Sequence, residues 1–485
     1  TVSHQIITNL RKKKTKMFQK NNTQMKTYFF ILFLFLNIVN AQQTSNEMSF
    51  NEYLGMVKKF HPLVKIADLE ISQAQANLLM ARGAFDPKLE ADFSSKEFKD
   101  KKYYSLFNGG FKIPTWYGIE LKGGFESSEG YYLNPQNTTP NEGLSYAGIS
   151  VPVLQGFLIN QRMADLRKAK INVNLSTAER NLQAIQVLHQ ASMAYFNWKK
   201  NYDEFKLYET YLQNAEIRLK GIKTLIKEGD KAAIDSIEAG ITVKNRMLNK
   251  EDALLKLTKA RLELSNFLWT NNSIPIELEE QMFPEIDLFQ NIQDYLKTNE
   301  LNIVNFSADN HPKINSINYK INMLEVDRKL KANMLLPKID LGYNYLSVPN
   351  QFQEFQFQDY KFGVNFAFPL FLRKERGSLK LTKQKIEAEQ FAVSFEKEQL
   401  NNKIESQKAE IVSLKKQEDI ISDLVQDNST LLNSEERLFE MGESSLFLIN
   451  TRENNLVLAQ LSKILIENRF YISNADLYKT VANPN

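Results

Sequence analysis

The chain has 485 residues, 24% of them charged and 43% hydrophobic, a composition outside that of a disordered chain or of a bundle of membrane helices. Its formal charge of +4 is concentrated at one end. Residues 1–41 hold Arg11, Lys12, Lys13, Lys14, Lys16, Lys20 and Lys26 and no acid, which leaves 54 basic against 57 acidic residues in the remainder. The rest of the chain is slightly acidic, so a nucleic-acid partner is not expected. There is no cysteine, which excludes disulfides, thiolate metal sites, cysteine nucleophiles and a lipid carried on an N-terminal cysteine.

Residues 25–41 have the form of a secretory signal. Met25-Lys26 opens it, Tyr28 to Val39 is apolar but for Asn37, and Val39-Asn40-Ala41 offers a small-residue cleavage site before Gln42. The apolar run is about 12 residues long where a membrane helix needs roughly 20. Residues 1–24 are expected to be an upstream extension outside the mature protein. No later run is long enough for a membrane helix, so residence in a membrane would require β-strands.

Prolines divide the chain beyond the signal. None lies between Pro152 and Pro275 or between Pro369 and Pro484, and glycine is sparse in both stretches. Proline breaks a helix interior and glycine weakens it, so each stretch is expected to be helical. Tyr208, Leu212, Ala215, Leu219, Ile222 and Ile226 recur at spacings of four and three, and Leu424, Leu431 and Leu438 recur every seven, as in coiled-coil seams. Each stretch is interrupted once, at Gly229-Asp230 and at Gly442-Glu443-Ser444. A glycine closing one helix and a polar residue opening the next, here Asp235 and Ser444, describe the tip of a helical hairpin. From Pro152 to Gly229 and from Pro369 to Gly442, continuous helices would reach roughly 110 Å at about 1.5 Å per residue.

The halves repeat one order. His61-Pro62 recurs as His311-Pro312, helical segments come next near 63–84 and 313–335, and Pro87 and Pro337 then precede strand regions. In KIDLGYNYL, Ile339, Leu341, Tyr343 and Tyr345 oppose Lys338, Asp340, Gly342 and Asn344; in DYKFGVNFAF, Tyr360, Phe362, Val364, Phe366 and Phe368 oppose Lys361, Gly363, Asn365 and Ala367. Leu89, Ala91 and Phe93 repeat the pattern against Lys88, Glu90, Asp92 and Ser94. Strands of about ten residues, aromatic on one side and polar on the other, suit a transmembrane barrel wall; a sandwich strand with one wet face has the same period. One chain has too few strands to close a wide barrel, and an open edge cannot sit in lipid, so oligomerisation is required. The first strand region is twice as long as the second, and its excess near Tyr103 to Phe125 leaves either an added strand pair or an outer loop.

With this order in place, the HP-helix-P segments, VPVLQGFLINQR, FPLFLRKERG and the two glycine tips resemble the TolC-like outer-membrane efflux proteins. The resemblance implies an α+β membrane protein. It further implies a homotrimer whose β-barrel, with about four strands per subunit, would sit in outer-membrane lipid and continue as a periplasmic α-helical barrel of coiled-coil hairpins, internally duplicated. Residues 42–300 would form the first repeat, with strands at about 88–151, a hairpin at about 153–270 and an equatorial segment at 271–300. Residues 301–485 would form the second, with strands at about 338–369 and a hairpin at about 371–480. The implied function is a passive duct, exporting drugs, metal ions or polypeptides for an inner-membrane transporter through a periplasmic adaptor, in tripartite efflux or type I secretion. No cofactor, metal or catalysis is expected. A periplasmic adaptor would show one hairpin between small β-domains, and an envelope hydrolase would need a constellation of catalytic side chains that the sequence lacks.

Candidate functional residues gather at the tips. The resemblance makes Gly229, Asp230, Asp235, Glu238, Gly442 and Glu443 candidate gate and adaptor contacts, and three copies of one inward acid would form a cation-binding ring. Asp235 alternatively caps a helix. His61 and His311 precede a proline suited to a first helical turn and are expected to cap or pack rather than bind metal, and His189, inside a long helix, is expected to be structural. Carboxylate pairs such as Glu435-Glu436, Glu251-Asp252 and Glu279-Glu280 are expected on solvated helix faces.

Overall fold

A computed structural model describes residues 46–299, 306–351 and 356–481. The signal sequence at 25–41 and the extension at 1–24 lie outside the described residues. The described residues open with a short strand β1 (Glu47–Met48) and helices α1 (Phe50–Phe60) and α2 (Pro62–Gly83). Four strands come next: β2 (Lys88–Phe98), β3 (Lys101–Pro114), β4 (Glu120–Glu129) and β5 (Leu144–Pro152). The first long hairpin is α3 (Gln161–Glu228) and α4 (Ala233–Ser265), and β6 (Phe283–Pro284) and α5 (Leu288–Tyr295) lie beyond it. The second half runs through α6 (Pro312–Asn333), β7 (Lys338–Ser347), β8 (Tyr360–Ala367), α7 (Arg373–Glu440) and α8 (Leu446–Val481). Helix, strands, long helix, glycine tip and returning helix thus occur in the same order in both halves.

The two long helices have 68 residues each, about 100 Å at 1.5 Å per residue. The first starts later than Pro152 suggests. That proline is still in β5, facing Asp340, and Gly156 with φ +98° turns the chain before Asn160 caps α3 by accepting from the Met163 N–H at 2.9 Å. His61 and His311 both act as caps. Each Nδ1 accepts a backbone N–H two residues on, from Leu63 at 3.3 Å and Lys313 at 3.1 Å. His189 is structural too, its Nε2 lying 2.6 Å from Asp476.

Among the described residues six strands make one antiparallel sheet in the order β2-β3-β4-β5-β7-β8, two more than the roughly four per subunit that the resemblance implies. The added pair is the hairpin β3–β4, inserted between β2 and β5. The turn residues explain its formation: Lys99 and Asp100, both with positive φ, make the tight two-residue link from β2 to β3. Gly118, with φ +75°, turns β3 into β4. The strand period partitions the sheet as expected. Leu89, Phe111, Gly123, Ala147, Tyr345 and Tyr360 fall in one cross-strand row, and Lys88, Lys112, Lys122, Gly148, Asn344 and Lys361 in the next.

The helices lie side by side in two tiers that share α3 and α7. Next to the sheet the order is α2-α3-α6-α7, and toward the tips it is α4-α3-α8-α7. The main core sits where the tiers meet. Phe50, Tyr53, Tyr195, Phe196, Trp198, Leu288, Phe470 and Tyr471 are all buried there, around the 271–299 segment. Glu285 ties that belt to the start of α1, accepting from the Phe50 N–H at 3.1 Å and the Tyr295 hydroxyl at 2.8 Å. No helix among the described residues is long and apolar enough to cross a membrane.

One expected seam is displaced. Tyr208 to Ile226 does face inward, with Leu212, Ala215 and Ile222 buried. The buried line of α7 is instead Leu400, Ile404, Gln407, Ile411, Leu414, Ile421, Leu432 and Glu435, while Leu424, Leu431 and Leu438 are exposed. The inward line advances by three and four, so a strict seven-residue series chosen from leucines alone can land on the neighbouring face.

Candidate functional site at the hairpin tips

At the first tip Gly229 adopts the left-handed conformation with φ +87°, and the N–H groups of Gly229 and Asp230 return to Ile226 O and Leu225 O at 3.2 and 2.9 Å. That closes α3 by satisfying its last carbonyls. Gly442, φ +81°, does the same after α7, with Glu443 N–H bonded to Leu438 O at 2.9 Å. Helix entry differs from expectation at both tips. The residue before α4 is Ala232, which makes no side-chain cap, and Asp235 lies in the first turn, where its carboxylate faces the positive end of the helix dipole. At the second tip Ser445 accepts from Leu448 N–H at 3.4 Å, whereas Ser444 donates to Glu435.

The two tips are joined. Ile222, Ala239 and Leu446 form one buried cluster, Lys231 Nζ lies 4.4 Å from the Phe439 ring centroid, and Glu238 accepts from Asn450 at 3.1 Å. Asp230 and Glu443 are exposed at the two turns, while Asp235 and Glu238 are half-buried. Around them Ile234, Ile237, Met441 and Phe447 are exposed, so the end of the molecule shows apolar side chains among charged ones that include Lys227, Glu228 and Glu440.

Behind the tips lies a charge cluster that the sequence reading missed. Glu453 of α8 is buried, 2.6 Å from Arg218 of α3 and 3.3 Å from Arg246 of α4. Arg246 also donates to Asn454 at 2.7 Å, and Arg218 reaches Glu436 of α7 at 3.3 Å. All four helices of the lower tier meet in this group. Tyr211 packs beneath it, with its ring centroid 5.8 Å from the Arg246 guanidinium and its hydroxyl donating to Gln460 at 2.7 Å. Burial, first, and the nearby Glu453 carboxylate push the Tyr211 phenol up to about 12. The sequence does carry a signal for the cluster: Glu453 continues the inward series Leu446, Ile449, Leu456, an acid at a position the pattern assigns to apolar residues. Among the described residues no group of three or more His, Asp and Glu side chains gathers as a metal site.

No family model matches the sequence, and no curated protein matches it. Solved structures do. The open state of the Neisseria gonorrhoeae MtrE outer membrane channel is 14% identical with a TM-score of 0.63, over 90% of this chain and 89% of that one. The Campylobacter jejuni CmeC outer membrane channel is 14% identical with a TM-score of 0.61, over 89% and 85%. The outer membrane protein VceC from Vibrio cholerae is 11% identical with a TM-score of 0.62, over 89% and 96%. The chain therefore has the fold of the outer-membrane channels, and the resemblance of its sequence to TolC-like efflux proteins holds at the level of that fold.

Proposed function

We propose that this chain is one of three identical subunits of a passive outer-membrane channel of a Gram-negative envelope, through which cargo handed over by an inner-membrane transporter and a periplasmic adaptor leaves the cell. The observation that carries the reading is that the slab has two open edges, unsatisfied both in the sheet and in the lower helical tier. In the sheet, the outer sides of β2 and β8 pair with no strand among the described residues, yet Leu89, Phe93, Phe362, Val364 and Phe366 are exposed there. Such edges are stable in lipid only when the sheet closes on itself. In the lower tier the edge helices are α4 and α7. Ile241, Leu248, Leu255 and Leu262 repeat every seven residues on the exposed face of α4, and Leu424, Leu431 and Leu438 do so on α7. Both stripes start from the same tip with the same spacing, as the two sides of a coiled-coil seam between copies do.

On this reading the tips take the adaptor, near Gly229 and Gly442, and opening spreads the hairpins apart against the Arg218–Glu453–Arg246 link. Asp230, Asp235, Glu238 and Glu443 are the acids that would line or flank the narrow end. Tripartite efflux and type I secretion both use such a duct, and the transporter selects the cargo.

The test is purification from outer-membrane fractions followed by reconstitution in planar bilayers. A heat-modifiable trimer that gives discrete ion-conducting steps is expected. A soluble monomer without conductance would sink the reading.

A further inference from the structure

The inserted hairpin β3–β4 changes the wall of the channel. Three observations place it in the wall rather than above it. First, it lies inside the sheet: β3 pairs with β2 from Lys88↔Lys112 to Phe98↔Lys101, and β4 pairs with β5 from Glu120↔Ser150 to Glu126↔Leu144. Secondly, its turn is fastened to the helical end. Asn160, the cap of α3, donates to Trp116 O at 3.0 Å, Trp116 stacks on Phe85 at 5.7 Å, and Arg162 pairs with Glu120. Strands of 14 and 10 residues rising from that point are long enough to cross the hydrocarbon layer at a tilt of about 45°. Thirdly, the hairpin obeys the same two-faced pattern as its neighbours. Phe107, Phe111, Leu121 and Phe125 share the apolar face with Phe362, whereas Asn108, Lys112, Lys122 and Glu126 share the polar one. On the polar face the Tyr146 ring of β5 lies over Gly124 and Gly110, its hydroxyl 3.3 Å from Asn108, which fastens β5, β4 and β3 together.

We infer that each copy contributes six strands to the membrane wall, with β8 of one copy bonded antiparallel to β2 of the next, so that three copies close an eighteen-stranded barrel. The inference rests on the proposed trimeric channel. An even number of antiparallel strands per copy makes β8 run opposite to β2, so the seam continues the alternation, and the apolar faces of both edges fall on the same side. Width supports it independently of the number of copies. Six strands about 4.8 Å apart and tilted by about 40° occupy about 38 Å of circumference. The four helices of the adjoining tier, about 8–10 Å apart, occupy about 32–40 Å. Four strands would occupy only about 25 Å at that tilt. The added hairpin lets the barrel meet the helical tube without narrowing, and because diameter grows roughly linearly with strand number the barrel is about half as wide again as one of twelve strands.

The native chain has no cysteine, so single cysteines report cleanly. Phe111→Cys, Phe125→Cys, Asn108→Cys, Glu126→Cys and Phe362→Cys are made in the full chain, labelled with an environment-sensitive fluorophore and reconstituted in phosphatidylcholine vesicles. Phe107→Cys and Leu121→Cys replace any apolar-face variant that does not assemble. Labels at 111 and 125 are expected to be quenched by acyl-chain nitroxides to within about twofold of the label at 362, and labels at 108 and 126 by aqueous iodide instead. If 362 is quenched by lipid nitroxides while 111 and 125 are not, the hairpin stands outside the bilayer and the six-strand wall is wrong, though the channel reading survives. If 362 is unquenched as well, both fall.

Discussion

Glu453 Oε2 lies 2.6 Å from Arg218 Nη2, and the same carboxylate faces Arg246, so one buried acid of α8 holds two guanidiniums from the other hairpin. Removing the acid leaves Arg246 without a counter-charge and Arg218 with only the partly exposed Glu436, and breaking a buried pair costs about 3–5 kcal/mol. Glu453→Ala is therefore expected to lower the temperature at which the assembled protein dissociates on heated gels. An Arg218→Met, Arg246→Leu, Glu453→Leu triple variant should recover much of that loss, because well-packed apolar residues can replace a buried ion cluster. Equal instability of the single and triple variants would show that the charges are not what the site needs.

The exposed heptads predict a separation of folding from assembly. Leu248 and Leu431 are exposed in the single chain, so on the proposed trimeric assembly Leu248→Asp or Leu431→Asp should leave the helical circular dichroism of the subunit unchanged and reduce the trimer fraction at least tenfold in native mass measurements. A surface substitution away from special features alters folding stability by only about 0.5 kcal/mol. Loss of helicity together with assembly would place these residues in the subunit core instead.

The histidine caps carry a pH dependence. His311 accepts the Lys313 N–H through Nδ1, which requires the neutral ring, and its other nitrogen, Nε2, lies 3.0 Å from Thr480 O. Burial lowers its pKa below 6.5. A base whose folded pKa is depressed binds fewer protons when folded, so its contribution is complete above the unfolded value and is lost as pH falls below about 6.5. Burial lowers the pKa of His61 as well. The unfolding midpoint should therefore fall as pH drops below about 6.5, and His61→Asn with His311→Asn should flatten that fall while keeping a cap acceptor. An unchanged slope in the double variant would rule the imidazoles out as its source.

The tip glycines test backbone conformation apart from space. At Gly229 and Gly442 φ is +87° and +81°, and an added Cβ would meet nothing within 4 Å. Any penalty for Gly229→Ala or Gly442→Ala is then conformational, about 1–2 kcal/mol, with Asn costing less because it visits the left-handed region more readily. Hydrogen exchange in the last turns of α3 and α7 should rise in the order Gly, Asn, Ala. Equal exchange in Asn and Ala variants would point to a cause other than φ.

Much of the fold was legible in local chemistry. Proline-free stretches, the two tip glycines, the paired His-Pro caps and the period-two strands each act within a few residues of themselves, and the structure uses each where the sequence puts it. The tip acids were legible only as a neighbourhood: the sequence brings them to one end, but Asp235 sits in the first turn of its helix instead of at the cap and Glu238 is spent on Asn450.

What the sequence by itself determined, then, is the order of elements and the face each strand presents, because dihedral preference and alternation are properties of neighbouring residues. Only the tertiary structure decided three further matters. It placed the excess residues after Lys101 inside the sheet, because that depends on which strand edges meet. It put Leu424, Leu431 and Leu438 outside, because the inward line of α7 is set by the surface of α8. And it gathered Arg218, Arg246 and Glu453, far apart in the chain, because charge pairing across helices depends on the register in which those helices pack.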